Sequence, residues 1–227
     1  MIFYASECNF RTNTYTLSES ESKHCIKVLR NTIGNTIEII NGKGVQLTCR
    51  IIDDHYKRCK VEVTSRKEHL ANPNPIHIAM AIPKSGERLE WFMEKATEIG
   101  INQLSLINCE HSEKRNFNHK RLEKITIAAL KQSKRYHIPI IDSVISYEEF
   151  LKTYPKGFIG HCNPDKKIHP KEMSQAQPFL IGPEGDFSNE EIKNALESGY
   201  IPVDLSANRL RTETAALSAV FYLSNLV

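Results

Sequence analysis

The chain has 227 residues, of which 40% are hydrophobic and 25% are charged, and its 30 Lys and Arg against 27 Asp and Glu give a net charge of +3. This balance indicates one or two globular domains and excludes collagen-like and disordered classes. Because the sequence has no run of about 18 apolar residues and no signal-peptide pattern at its start, we expect a cytoplasmic protein without membrane contact. The six cysteines show neither a C-x-x-C pair nor zinc-finger spacing, so we expect reduced thiols and no metal.

The first 72 residues are rich in predicted β-strands. Apolar runs at residues 36–40 and from residue 45 onward flank an Asn-Gly turn, which is typical of a β-hairpin. Strict alternation over residues 60–64 predicts another strand. Near-helical spacing of apolar residues over 19–30 predicts one short helix, with Cys25, Val28 and Leu29 toward a core.

A linker is predicted at residues 69–75, because Pro73 and Pro75 fit neither a helix nor a central strand. It separates a domain over residues 1–70 from a domain over residues 75–227. In the second domain, predicted strands lie at 76–82, 104–107, 158–160, 179–181 and 201–205, and predicted helices at 88–99, 122–134, 147–154, 189–198 and 212–226. This alternation predicts an α/β fold with a mainly parallel sheet.

A Gly-Pro-Glu-Gly loop at residues 182–185 follows one of these strands. Open α/β sheets bind ligands beyond the carboxyl ends of their strands, and glycines allow a ligand to approach the backbone closely. The loop therefore suits a flat, polar ligand such as a nucleobase, and valine at Gly182 is expected to block that ligand without unfolding the chain. A tight structural turn explains the same residues equally well.

Two more polar loops follow predicted strands. In the loop that ends the strand at 201–205, Thr212 or Thr214 is a candidate cap of the last helix, and Glu213 suits the helix dipole. Arg211 opposes that dipole, so it is either paired with an acid or directed at an anion. The other loop carries His161, and a lone histidine in such a position is more often structural than catalytic.

Basic residues concentrate at 111–137, where 8 Lys and Arg stand against 2 Glu. This concentration indicates a polyanion contact or, as the plainer alternative, a solvated helix face. Residues 1–72 carry a net charge of +3, with Lys27 and Arg30 predicted to point outward together. Contacts of this kind with phosphates give salt-sensitive affinity that does not depend on sequence.

Five motifs in chain order resemble those of the RsmE-type 16S ribosomal RNA uridine N3-methyltransferases. They are H-x-x-x-V-L-R at 24–30, K-S-x-x-R-x-E-x-x-x-x-K-x-T-E-I-G at 84–100, Q-S-x-R-x-x-x-P at 132–139, I-G-P-E-G-x-F at 181–187 and L-R-T-E-T-A at 210–215. The resemblance covers nearly the whole chain. It implies a PUA-like β-barrel that binds RNA over 1–70, followed by a SPOUT α/β-knot methyltransferase domain, with a trefoil-knotted and mainly parallel sheet, over 75–227.

The resemblance also implies a substrate, a cofactor and a partner. The reaction would be S-adenosyl-L-methionine-dependent methylation of N3 of a specific uridine in the 16S rRNA of the small ribosomal subunit, expected at nucleotide 1498. The chain would act as a homodimer. The last predicted helix is apolar nearly all round, which favours burial of a second face by a partner subunit, although burial within one chain remains open.

The expected site residues follow from the loops and from the resemblance. The residues predicted to hold the cofactor are His161, Cys162, Ile181, Gly182, Pro183, Glu184, Gly185, Leu205, Ser206, Leu210, Arg211, Thr212 and Ala215. Removing the N3 proton of uracil requires an anion stabiliser or a proton acceptor, so Arg211 is predicted for the first role and Glu213 for the second, with loop positioning as the alternative for Glu213. The residues predicted to bind RNA are His24, Lys27, Arg30, Lys84, Arg88, Lys114, Arg115 and Arg135.

Two other functions are compatible with the sequence. Another SPOUT enzyme would methylate the ribose 2′-oxygen or a different base, and mass spectrometry of the modified nucleoside separates these reactions. A non-enzymatic RNA-binding protein would share the basic segments but would not bind S-adenosyl-L-methionine in a calorimetric titration.

Overall fold

A computed structural model describes residues 1–164, 166–173 and 177–226. The chain divides into two compact units, one formed by Met1–Asn72 and Leu130–Ile138, the other by Pro73–Ala129 and Pro139–Val227. Within the described ranges, no helix is long and apolar enough to cross a membrane. The assignment of RNA binding to residues 1–70 and of methyl transfer to residues 75–227 stays a prediction.

The first unit contains a five-stranded sheet. Its strands are β1 (Ile2–Tyr4), β2 (Thr14–Thr16), β3 (Thr36–Ile40), β4 (Val45–Asp53) and β5 (Lys60–Glu68), in the order β1-β3-β4-β5-β2. The predicted hairpin is β3–β4, with Ile37 opposite Cys49 and Ile39 opposite Leu47, and all four side chains are buried. β1 pairs in parallel with β3, whereas the other pairs are antiparallel. The sequence did not predict β1 and β2, because three residues carry too little alternation to be read.

The helical segment of this unit has two parts. Helix α1 (Glu19–Lys23) continues into a π-helical turn, His24–Val28, in which the Leu29 N–H donates to the His24 carbonyl at 3.0 Å. The expectation that Val28 faces a core is wrong, since Val28 is 67% exposed. Hydrogen bonds from i to i+5 widen the turn and change which residues share a face, so ordinary helical spacing misplaces this side chain.

The second unit is built on a seven-stranded sheet with the order β12-β10-β11-β6-β7-β8, and β9 also pairs with β7. Its elements are β6 (His77–Ala81), α2 (Gly86–Ile99), β7 (Gln103–Asn108), α3 (His119–Gln132, whose end belongs to the first unit), β8 (Ile140–Ile141), β9 (Ile145–Ser146), α4 (Tyr147–Thr153), β10 (Gly157–Gly160), β11 (Phe179–Ile181), α5 (Asn189–Glu197), β12 (Tyr200–Pro202) and α6 (Thr212–Ser224). All pairings described in this sheet are parallel, so the prediction of an α/β fold with a mainly parallel sheet is confirmed.

Both faces of this sheet are covered by helices. Along β6, Ile78 and Met80 belong to a core that includes residues of α2 and α6, whereas Ala79 and Ala81 belong to a core that includes residues of α4 and α5. Every residue of β6 is buried. Such two-sided burial explains why this strand is continuously apolar in sequence rather than alternating.

The ends of two helices are set by residues next to them in the sequence. Ser188 caps α5 through a capping box with Glu191, and Gly100 ends α2 with φ 141°, a conformation that favours glycine.

Strand β12 ends at Pro202 instead of at residue 205, where the sequence predicted its end. After it, the Val203 N–H donates to the Ile159 carbonyl and the chain enters a loop that positions Leu205 for the site described next.

Candidate functional site

Three loops, which follow β10, β11 and β12, line a cleft of about 490 Å³ in the second unit. They meet because the carboxyl ends of parallel strands lie at one edge of the sheet. The volume falls within the range of about 300–1,000 Å³ that is typical of small-molecule sites. All the residues predicted to hold a cofactor line this cleft except Gly185 and Arg211.

The loops 160–162, 181–185 and 205–212 were predicted to form the cofactor site, and several further residues in or beside them line the same cleft. They are Gly160, Lys167, Asp186, Val203, Asp204, Ala207, Asn208 and Arg209. Gly160, Ala207, Asn208 and Arg209 lie within the predicted loops, whereas a wider window around each strand end would have been needed to find the other four. Gly160 has a steric reason to be glycine, since a Cβ there would lie 3.3 Å from Leu205 and 3.4 Å from Ile181.

The Gly-Pro-Glu-Gly loop is held by contacts from two sides. The Thr212 hydroxyl donates to the Gly182 carbonyl at 3.1 Å, and the Arg209 guanidinium donates to the Glu184 carbonyl at 3.3 Å. The Lys84 backbone N–H donates to Glu184 Oε1 at 3.0 Å. A Cβ at Gly182 would lie 3.0 Å from the Phe187 ring. Glycine at 182 therefore permits packing within the protein, because the Cβ of a valine there would stand against Phe187.

Asp186 ties the loop after β10 to the loop after β11. Its Oδ2 atom accepts from the Cys162 N–H at 2.7 Å, while its Oδ1 atom accepts from the Phe187 N–H at 2.8 Å. The Lys167 ammonium donates to the His161 carbonyl at 2.7 Å, which fixes the rest of the first loop. Burial, and then the charge of Asp186, raise the pKa of the exposed Cys162 thiol, so this cysteine is not activated as a nucleophile.

Arg211 and Glu213 lie in a second cleft, of about 340 Å³, at the start of α6. Its other lining residues are Glu87, Arg88, Trp91 and Thr214. Arg211 occupies the N-cap position of α6 without a side-chain hydrogen bond, so neither Thr212 nor Thr214 is the cap. Within the described part of the chain, Arg211 makes no ion pair, which leaves an anion as its remaining predicted target.

Arg88 makes the ion pairs that sequence reasoning considered for Arg211. Its guanidinium lies 3.6 Å from Glu184 Oε1 and 3.6 Å from Glu213 Oε1. Arg88 therefore links the Gly-Pro-Glu-Gly loop to the first turn of α6. Its predicted contact with RNA competes with these two carboxylates and stays a prediction.

The RNA-binding candidates of the first unit have different surroundings. His24 and Lys27 lie on the π-helical turn, and Lys27 Nζ stands 4.1 Å from the centre of the Tyr56 ring. Arg30 is exposed and has φ 57°. Arg135 is half-buried, and desolvation lowers its pKa.

The RNA-binding candidates of the second unit include Lys84, Lys114 and Arg115. Lys84 is exposed and its ammonium lies 2.7 Å from Glu113, whereas Arg115 is exposed and Lys114 is half-buried. These positions are compatible with phosphate contacts, and their role stays a prediction.

The comparison with known proteins defines the class. Residues 70–224 match the family model described as RNA methyltransferase domain. A solved "probable rRNA-methyltransferase" of Porphyromonas gingivalis is 34% identical, with a TM-score of 0.89 and coverage of 99% of this chain and 97% of that chain. The fold is thus that of an RNA methyltransferase domain.

Two further comparisons give the family. Ribosomal RNA small subunit methyltransferase E of Buchnera aphidicola (from Acyrthosiphon pisum) is 30% identical over 93% of this chain and 88% of its own length. The Neisseria gonorrhoeae protein of the same name, solved with S-adenosyl methionine, is 26% identical with a TM-score of 0.84 and covers 99% of this chain and 97% of its own. The chain belongs to the ribosomal RNA small subunit methyltransferase E family. The resemblance stated from the motifs and the predicted fold class are confirmed.

Proposed function

We propose that this chain transfers a methyl group from S-adenosyl-L-methionine to N3 of a uridine in 16S rRNA of the small ribosomal subunit, at the position equivalent to nucleotide 1498. It would act in the cytoplasm as a homodimer. The observation that carries the proposal is the cleft between the three strand-end loops, in a chain of a family whose Neisseria gonorrhoeae member was solved with S-adenosyl methionine.

The side chains of the cleft fit such a cofactor. Leu205, Leu210 and Ala215 offer apolar surface for the flat adenine ring, while Asp204 offers a carboxylate to ribose hydroxyls. Lys167 and other charged lining residues of both signs suit the amino and carboxylate groups of the methionine part. When bound, the cofactor supplies an electrophilic methyl group on a sulfonium centre.

The residues of the chain would orient uracil, stabilise the negative charge that develops on it and accept its N3 proton. Arg211 has a permanently charged, planar guanidinium suited to a carbonyl oxygen next to the reacting nitrogen, where negative charge develops. Glu213 is buried and paired with Arg88, so its carboxylate is held in place, and it is the candidate to accept the N3 proton, with loop positioning as its alternative role. Orientation of the reactants is the main contribution that a protein makes to such a transfer.

The product nucleoside tests this function. Incubation with labelled S-adenosyl-L-methionine and either free 16S rRNA or assembled small subunits, followed by digestion and mass spectrometry, should give 3-methyluridine. A 2′-O-methylated nucleoside or another methylated base would identify a different methyltransferase. Absence of both product and calorimetric cofactor binding would indicate a non-enzymatic RNA-binding protein.

The homodimer is proposed from α6. One face of this helix is buried in its own unit through Ala216, Ala219, Val220 and Leu223, while Phe221 is 58% exposed. A partner subunit would bury this remaining apolar surface. Sedimentation at micromolar concentration should therefore show a species of twice the chain mass, and a single 25.9 kDa species would refute the dimer.

A further inference from the structure

The second cleft contains an aromatic side chain that core packing does not explain. Trp91 is the only tryptophan of the chain and is 44% exposed, whereas the next residue of α2, Phe92, is fully buried. Trp91 lies one helical turn after Glu87 and Arg88, so these three side chains share one face of α2. An indole that is open to solvent beside charged groups provides a platform on which a base can stack.

The cleft also contains a polar atom that lacks a partner. The Glu213 side chain is 8% exposed, and its Oε2 atom has no hydrogen-bond partner among the described residues. A buried carboxylate oxygen without a donor is costly, so a ligand that brings a donor is favoured once the side chain turns toward it. Arg211 stands at the same opening with its donors.

The position of this cleft suits a base that receives a methyl group. Arg211 and Glu213 line it, while Thr212, between them in sequence, lines the cofactor cleft. Arg88 spans the two, because it pairs with Glu184 of the cofactor cleft and with Glu213. The clefts therefore adjoin at the first turn of α6.

We propose that the second cleft binds the target uracil, with Trp91 stacking on the ring, Arg211 donating to a carbonyl oxygen and Glu213 accepting from N3–H. This rests on the proposed function and assigns a base-binding role to Trp91. It also gives a reason for selectivity: uracil carries a donor at N3 between two carbonyl acceptors, whereas cytosine has an unprotonated N3 and an amino group at C4. With the guanidinium on a carbonyl oxygen, a carboxylate at the neighbouring ring nitrogen meets the N3–H of uracil, whereas in the same pose it meets the unprotonated N3 of cytosine and is repelled.

The single tryptophan makes binding directly measurable. Trp91 fluorescence should be quenched saturably by a single-stranded RNA hexamer with one central uridine, and less by the same hexamer with cytidine. This difference should disappear in Arg211→Ala. Equal quenching by both hexamers, or none, would overturn the assignment of this cleft to uracil, whether or not the protein methylates RNA.

Kinetics on three variants complete the test. Trp91→Ala should raise the KM for RNA about tenfold or more, while Trp91→Phe keeps most of the affinity because it can still stack. The calorimetric Kd for S-adenosyl-L-methionine and the sedimentation profile should stay unchanged. Leu196→Ala, which removes an apolar side chain that is 39% exposed on helix α5 and lies outside both clefts, is the control and should leave the KM unaltered.

The remaining outcomes distinguish the failures. If wild-type protein forms 3-methyluridine and Trp91→Ala keeps its KM, the cleft does not bind the base. If Trp91→Ala instead changes the sedimentation profile at an unchanged KM, the cleft is a contact between copies of the chain, which also overturns the proposal. If wild-type protein forms no methylated nucleoside, the proposed function fails, and the hexamer titration alone decides on the cleft.

Discussion

The two clefts at the first turn of α6 are formed by different structural elements and different kinds of residue. The cofactor cleft is formed by backbone loops at three strand ends, and its lining combines glycine, proline and apolar side chains with polar and charged ones. The second cleft is formed by long side chains on two helices, with two arginines, two glutamates and the exposed Trp91. The two clefts therefore differ in construction, since loops at the edge of the sheet form one and side chains of two helices form the other.

Removing one arginine from each cleft is the most direct test of whether the two clefts have different roles. Arg211→Ala should lower the methylation rate about 10²–10³-fold, because a preorganised donor to developing charge is removed, while cofactor affinity stays near normal. Turnover at saturating cofactor and a calorimetric Kd measure the two effects. Arg209→Ala is the matched control in the cofactor cleft and should weaken cofactor binding first.

A specific result would contradict this division of roles. If saturating cofactor restores the full rate of Arg211→Ala, then Arg211 shapes the cofactor cleft and leaves the set of catalytic candidates. An equal loss of cofactor affinity in both variants would likewise mean that the clefts act as one site.

The shape of the cofactor cleft is tested by filling it. Ala215→Leu enlarges a side chain at its wall, so affinity for S-adenosyl-L-methionine should fall about tenfold or more, by the usual cost of overpacking. Ala128→Leu makes the same change on an exposed position of α3 and should leave the Kd as it is. Unchanged affinity in a folded Ala215→Leu protein would remove this wall from the cofactor site.

Gly182 shows that a cleft residue can be constrained by the protein rather than by a ligand. Gly182→Val should lower the free energy of unfolding by about 1–3 kcal/mol, because its Cβ would stand 3.0 Å from the Phe187 ring. Urea denaturation measures this loss. Gly185→Val is the control, since its nearest neighbour is the exposed His111 side chain at 3.3 Å, and it should cost less. Equal stability of both variants would count against the packing argument.

Basic residues outside both clefts should have the smallest effect. Neutralising Lys114, Arg115 and Lys120 should weaken RNA binding and reduce the slope of log K against log salt by about 0.7–0.9 for each phosphate that the protein no longer neutralises. Arg121 should add less, because its Nε atom already lies 3.2 Å from Glu90. Lys95→Gln, whose ammonium is paired with two neighbouring glutamates, is the control. An unchanged slope would show that the basic segment is a solvated face.

Local patterns in the sequence determined much of this protein. The β3–β4 hairpin follows from two apolar runs around Asn-Gly, and the start of α5 follows from the capping box of Ser188 and Glu191. The alternation of apolar strands with amphipathic helices predicted the parallel sheet, and therefore placed three polar loops at one edge. These features were predictable because neighbours within a few residues decide them.

Tertiary structure alone decided the features that depend on distant residues. Strands of two or three residues, such as β1 and β8, are defined by their pairing and not by a pattern of their own. Leu130–Ile138 belongs to the first unit although the whole segment Pro73–Ala129 of the other unit precedes it. The pairing of Arg88 with Glu184 and Glu213 joins positions that are far apart in the chain, and the sequence had not predicted it. Periodicity reports which face of an element is apolar, but only the packed fold determines which charged side chains meet across it.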